Sequence, residues 1–231
     1  MPNPVRRTCD KTVVTLMVLL LLMGLVTLFS ATYYQKAATG DALAAVKKQL
    51  IGVALGAAAC VTLSRVPYRV FRRPKVTLLL LATSALLLIL VIIPGVGVSI
   101  NGSRRWLNFF GLSMQPSEFA KYAMVIFMAG ALDRRGEAIR HLFTGIVPLL
   151  VVPGVMFLLI LEQPNLSTGG SILICALVML FAAGIQKRHM ALLGAGGLVV
   201  GAFYAWSAPY RRERLLSFRD PFAKMSDEGY Q

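Results

Sequence analysis

The sequence predicts an all-α membrane protein, a polytopic helical bundle of about seven transmembrane helices. Two observations predict it. Of the 231 residues 57% are hydrophobic, and they gather in blocks close to the roughly 20 residues a helix needs to cross a hydrocarbon core. The polar linkers between the blocks are short and rich in Lys and Arg, which leaves no room for a soluble domain and supplies the charge asymmetry that orients membrane helices. A single membrane domain over 1–231 is the expected organisation.

The spans are expected at 13–34, 49–63, 76–94, 117–132, 143–161, 169–185 and 191–207. The first follows Arg6, Arg7 and Lys11 and precedes Ser30 and Ala31, flanks that suit a signal peptide. Its apolar core from Val13 to Phe29 outruns the about 7–15 residues of a cleavable segment, so an uncleaved helix with a cytoplasmic N-terminus is expected. The second span carries Gly52 and Gly56, and the seventh Gly197 and Gly201, a spacing that lets helix backbones approach closely. The third and fifth are aliphatic almost throughout. The fourth opens with Glu118 and Lys121, and the sixth holds Cys175. Seven spans place the loops with Arg65, Arg69, Arg72, Arg73, Arg134, Arg135, Arg140, Lys187 and Arg188 on the N-terminal side, in line with the positive-inside rule. They place the tail 208–231 on the other side, where Arg211, Arg212 and Arg214 break that rule. Those arginines either hold an anionic ligand or anchor a helix end among lipid headgroups.

The net charge of +14 is spread over short membrane-flanking loops, which fits anionic lipid headgroups and argues against nucleic acid as a partner. Cys9, Cys60 and Cys175 show no metal-ligand spacing and suit packing, and His141 and His189 sit far apart in short loops. No metal site is expected and no cofactor is certain; a divalent cation is left open. Asn101-Gly102-Ser103 and Asn165-Leu166-Ser167 match the glycosylation sequon, a pattern short enough to arise by chance.

Between the third and fourth spans runs NGSRRWLNFFGLSMQPSEFAK, from Asn101 to Lys121. An ionisable residue at a helix centre costs about 2.5–3.5 kcal/mol on insertion scales, so Glu118 and Lys121 are expected to face a protein interior or a wet cavity. The alternative is a plain salt bridge, since positions three apart on a helix face one another. Trp106 suits either stacking on a sugar face or anchoring at the membrane interface.

Four blocks carry a resemblance: Asn101-Gly102-Ser103-Arg104-Arg105-Trp106-Leu107, then Gln115-Pro116-Ser117-Glu118-Phe119-Ala120-Lys121, then Gln163-Pro164-Asn165-Leu166-Ser167-Thr168, then Arg214-Leu215-Leu216-Ser217-Phe218-Arg219-Asp220-Pro221-Phe222 with Gly229-Tyr230-Gln231. In this order and spacing they resemble the SEDS proteins, the shape, elongation, division and sporulation family of RodA, FtsW and SpoVE. The resemblance implies a bundle of about ten helices, of which this chain is the N-terminal portion, cut off in its last outer loop at about 208–231. It implies a multi-pass protein of the bacterial plasma membrane that polymerises lipid II into peptidoglycan glycan strands, in division, elongation or sporulation. An acceptor hydroxyl would attack the anomeric carbon of the donor and expel undecaprenyl pyrophosphate with inversion. That chemistry needs a base, cations for the departing pyrophosphate and a groove for two lipid tails.

The resemblance places Arg104, Arg105, Arg211, Arg212 and Arg214 as the pyrophosphate cations, because guanidinium forks match phosphate oxygens. Lys121 and Glu118 join them as substrate-binding residues, with Trp106. In the family the catalytic acid falls where this chain has Lys224, which cannot accept a proton while charged. Asp227 and Asp220 are the candidate bases, and a chain without a base is the third possibility. Asn165 and Ser167 stand where relatives commonly show Asp and Gly. The expected partners are lipid II, membrane lipids and a class B penicillin-binding protein. Two rival readings are a lipid II flippase, for which Glu118 and Lys121 form a polar path, and a non-catalytic cell-shape scaffold, to which Lys224 points.

Overall fold

The computed structural model describes residues 10–37, 44–100, 103–109, 112–163 and 165–207. Seven α-helices form where the apolar blocks predict them: α1 Lys11–Ala37, α2 Ala44–Arg65, α3 Pro74–Ile92, α4 Pro116–Arg135, α5 Val147–Leu161, α6 Leu166–Ala182 and α7 Lys187–Trp206. Among the described residues four helical stretches are long and apolar enough to cross a membrane, Lys11–Tyr33, Val46–Arg65, Pro74–Ile92 and Leu142–Leu161, while Leu166–Ala182 is a shorter apolar helix. The chain divides into two compact units, one built on α1 and α2 and the other on α3 to α7.

In the first unit Asp10 starts α1, its carboxylate accepting the amides of Thr12 at 2.9 Å and Val13 at 3.4 Å, donors that a helix start otherwise leaves unpaired. The two helices expose aliphatic side chains nearly all round. Their hydroxyls bond inside their own helix: Thr27 to the Met23 carbonyl at 3.0 Å, Thr32 to Leu28 at 2.7 Å and Thr62 to Ala58 at 2.8 Å. Each such bond hides a polar group that hydrocarbon would otherwise strand.

The second unit has the core. Leu88 of α3, Met124 and Met128 of α4, Leu149 and Ile160 of α5, and Ile172, Ala176 and Leu180 of α6 are buried and join one cluster. Packing runs α3 on α4, α4 on α6, α5 on α6 and α6 on α7. Prolines begin α3 and α4 at Pro74 and Pro116, positions whose amides have no helical partner in any case. Gly184, at φ 85°, ends α6 in the left-handed conformation, and the Ile185 amide bonds back to Leu180 at 3.3 Å.

Two expectations change. Among the described residues the paired glycines meet no close helix: a Cβ on Gly52, Gly56, Gly197 or Gly201 would find nothing within 4 Å. The glycine at a close approach of two α-helices is instead Gly169, where a Cβ would lie 3.0 Å from the Phe157 ring, between α6 and α5. The bundle also carries a small sheet, β1 Val98–Ile100, β2 Ser103–Phe109 and β3 Leu112–Met114, in that order. β1 and β2 are antiparallel, with Val98 opposite Trp106, Ser99 opposite Arg104 and Ile100 opposite Ser103. The two residues between these strands are Asn101-Gly102, a dipeptide that favours two-residue hairpins.

Candidate functional site

The hairpin lies against one end of the second unit, with β2 packed on α3 and α4. Gly97 sets its distance from α3: a Cβ there would run into the Val91 carbonyl oxygen and lie 3.0 Å from the carbonyl carbon. Side chains alternate across a strand, so neighbours on β2 face opposite ways. Arg104 is exposed, Arg105 and Trp106 are half-buried, and Leu107 is buried. The Arg105 Nε donates to the backbone carbonyl of Gln163 at 3.2 Å, and its Nη2 to the Ser103 hydroxyl at 3.2 Å.

Gln163 follows α5 and is 1% exposed. Its Nε2 donates to the Leu88 carbonyl, one turn before α3 ends, at 3.1 Å, while its Oε1 has no partner among the described residues. Two residues on, the Asn165 side-chain Oδ1 caps α6 by accepting the Thr168 amide at 3.3 Å, and its Nδ2 is buried without a described partner. The Ser117 hydroxyl, in the first turn of α4, is likewise buried and unpaired among the described residues. Buried polar groups are normally paired, so three such atoms at one end of a bundle set this region apart from the core.

Glu118 and Lys121 sit in the first two turns of α4 rather than at its middle, and they form an ion pair at 2.9 Å. Among the described residues the Glu118 side chain is 50% exposed and that of Lys121 29%. The place of Glu118 in the first turn of the helix favours a negative charge.

The opposite end is held by other means. Arg72 pairs with Asp133, and Arg135 donates from Nη1 to the carbonyls of Thr144 and Gly145, both at 2.8 Å. His189 is buried, its Nδ1 unpaired among the described residues, and His141 is exposed. No three metal-ligating side chains come together among the described residues.

The structure thus brings Arg105 to the turn after α5 and places Arg104, Trp106, Glu118 and Lys121 on the elements at that end. Asp220, Asp227, Arg211, Arg212, Arg214 and Lys224 lie outside the described residues. Gln163 and Ser117 belong to the blocks that carry the resemblance, yet the sequence reading gave them no role. The signal for them is a polar residue set against a long apolar run.

Fold and site together define a multi-pass membrane protein whose polar side chains collect at the helix ends. The family described as "Cell cycle protein", FtsW/RodA/SpoVE, matches residues 10–231. The chain belongs to this family. It is similar to the "Probable peptidoglycan glycosyltransferase FtsW" of Saccharophagus degradans, 39% identical over 188 residues that make up 80% of this chain and 48% of the relative. It is also similar to the "Stage V sporulation protein E" of Bacillus subtilis, 35% identical over 96% of this chain and 60% of that protein. Among solved structures, one described as "Structural coordination of polymerization and crosslinking by a peptidoglycan synthase complex" aligns at a TM-score of 0.62 and 29% identity, covering 90% of this chain and 61% of that one. The chain therefore spans about half to three-fifths of the length of the proteins it matches.

Proposed function

We propose that the whole protein is a peptidoglycan glycosyltransferase that polymerises lipid II. The observation that carries this reading is the family match across residues 10–231, with relatives named as glycosyltransferases of that kind. An acceptor hydroxyl attacks the anomeric carbon of the donor strand. The bond from that carbon to the pyrophosphate oxygen breaks, and the pyrophosphate leaves with the electron pair. Asp227 or Asp220 takes the hydroxyl proton. Arg104 and the tail arginines Arg211, Arg212 and Arg214 meet the charge that builds on the leaving group, with Lys121 and Trp106 completing the substrate contacts. The protein works in the bacterial plasma membrane with its N-terminus in the cytoplasm, beside a class B penicillin-binding protein that crosslinks the new strands. Division, elongation and sporulation are equally served by this chemistry.

The test is glycan-chain formation from labelled lipid II by the protein at its native length with its penicillin-binding partner, comparing wild type with Asp227→Asn and Asp220→Asn. Long chains lost in one variant identify the base. A second reading, the non-catalytic scaffold, draws on Lys224 at the family's acidic position; the absence of polymer from folded, partner-bound wild type would favour the scaffold or the flippase over the polymerase, and polymer regained by Lys224→Asp would single out the scaffold that has lost its base.

A further inference from the structure

We propose that Gln163 is a positioning residue that fixes the arginine strand to the helix bundle. Three elements that no sequence pattern links meet at this one residue, α3 through its side chain and β2 and α5 through its backbone. Its amide nitrogen holds the Leu88 carbonyl of α3 at 3.1 Å, its own backbone carbonyl receives the Arg105 Nε of β2 at 3.2 Å, and its amide nitrogen of the main chain bonds Ile160 of α5 at 3.1 Å. The side chain is 1% exposed, so it touches no substrate itself and acts through what it holds. A glutamine is suited to the post. It reaches across from the end of α5 to α3, donates to a carbonyl, and brings no charge into an apolar interior.

The consequence falls on Arg105. A guanidinium has five donors in a fixed plane. When Nε is committed to Gln163 and one Nη to Ser103, the plane of the fork is set and the strand carrying it cannot roll about its axis. Strand alternation then sets the face on which Arg104 emerges. Gln163 thus governs where cationic side chains stand without contacting an anion, a role that rests on the glycosyltransferase reading for its substrate but not for its geometry.

The experiment uses the full-length protein with its penicillin-binding partner in nanodiscs. Gln163→Met keeps the length and volume of the side chain and removes its donor. Amide exchange is followed over Val98–Phe109 and, as a reference, over α1 and α2; glycan synthesis from labelled lipid II gives KM and kcat. Gln163→Met should raise exchange in the strand about tenfold or more, leave α1 and α2 unchanged, and raise KM about tenfold while kcat moves less than about threefold, the range expected for a lost buried hydrogen bond. Arg105→Lys, which alters the partner on the strand side, should give the same rise in exchange, and in exchange the double variant should be no worse than either single one.

Exchange in the strand that does not change would overturn the proposal. So would exchange rising throughout the second unit with KM unaltered, since that marks Gln163 as mere core packing, or additive effects of the two substitutions. The exchange readout needs no turnover: a strand loosened by Gln163→Met in a protein that makes no polymer keeps the anchor and rejects the glycosyltransferase reading.

Discussion

Gly97→Ala isolates the contact that seats the hairpin. The added Cβ would lie 3.0 Å from the Val91 carbonyl carbon and 3.4 Å from its Cα, with the carbonyl oxygen nearer still. All three atoms are backbone, and they belong to the last turn of α3, where Val91 is 0% exposed. No rotamer can relieve the overlap, so β1 or the end of α3 must shift. Overpacking that forces backbone movement costs about 1–3 kcal/mol, and in a chain of this size each kcal/mol is worth roughly 2–4 °C in melting temperature. The variant should melt about 2–12 °C lower in detergent by intrinsic fluorescence. Because Val98 and Ser99 pair with Trp106 and Arg104, the emission of Trp106 should shift at the same time. The matched control is Gly56→Ala, where a Cβ meets nothing within 4 Å and alanine favours a helix interior by about 1 kcal/mol. If Gly97→Ala melts with Gly56→Ala and its emission is that of the wild type, the seating of the hairpin on α3 is wrong.

Other outcomes follow from single contacts. Asn165→Ala removes the cap of α6 and should cost about 0.5–2 kcal/mol, whereas Asn165→Asp, which keeps the accepting oxygen, should retain most of it; urea or thermal melts separate the two. Arg135→Met deletes two charged hydrogen bonds to the Thr144 and Gly145 carbonyls and should destabilise by about 1.5–3 kcal/mol or more, visible as raised amide exchange around residue 145. Gly184→Ala puts a Cβ into a residue at φ 85° and should cost about 1–2 kcal/mol at the end of α6, read in the same melts. Lys121→Met breaks a partly exposed ion pair and should change stability by no more than about 1 kcal/mol, so any large effect of it on glycan synthesis belongs to substrate and not to folding.

The helices were legible because hydrocarbon imposes length and apolarity together. The apolar blocks at 76–94 and 143–161 fall almost on α3 and α5. The helix starts were less so: α2 begins at Ala44 and α7 at Lys187, ahead of the apolar blocks, because a helix runs on through Lys47, Lys48 or Arg188 where it leaves the hydrocarbon. The hairpin was missed since its strands are short and two arginines dominate the reading, although Asn101-Gly102 marks such a turn. The paired glycines misled because their spacing permits a close approach without requiring one. At the site, residue types pointed to Arg105, but its bond to Gln163 joins positions 58 apart in the chain, which local periodicity does not encode. The candidate bases Asp220 and Asp227 lie outside the described residues.

Thr27 of α1, Thr62 of α2, Ser84 of α3 and Ser171 of α6 each turn their hydroxyl back on a carbonyl of their own helix. A side chain satisfied in this way makes no demand on its neighbours. It gives a helix no preferred rotation about its axis and no preferred depth against the next one. The bonds that do fix rotation and depth are those from Gln163 to Leu88, Arg105 to Gln163, Arg72 to Asp133 and Arg135 to Thr144, all near helix termini. Midway along the helices, then, one aliphatic residue can replace another at little loss of specificity, while a single substitution near a terminus can slip two helices out of step. Drift in such a chain should be fast in its middle layer and slow at its two rims.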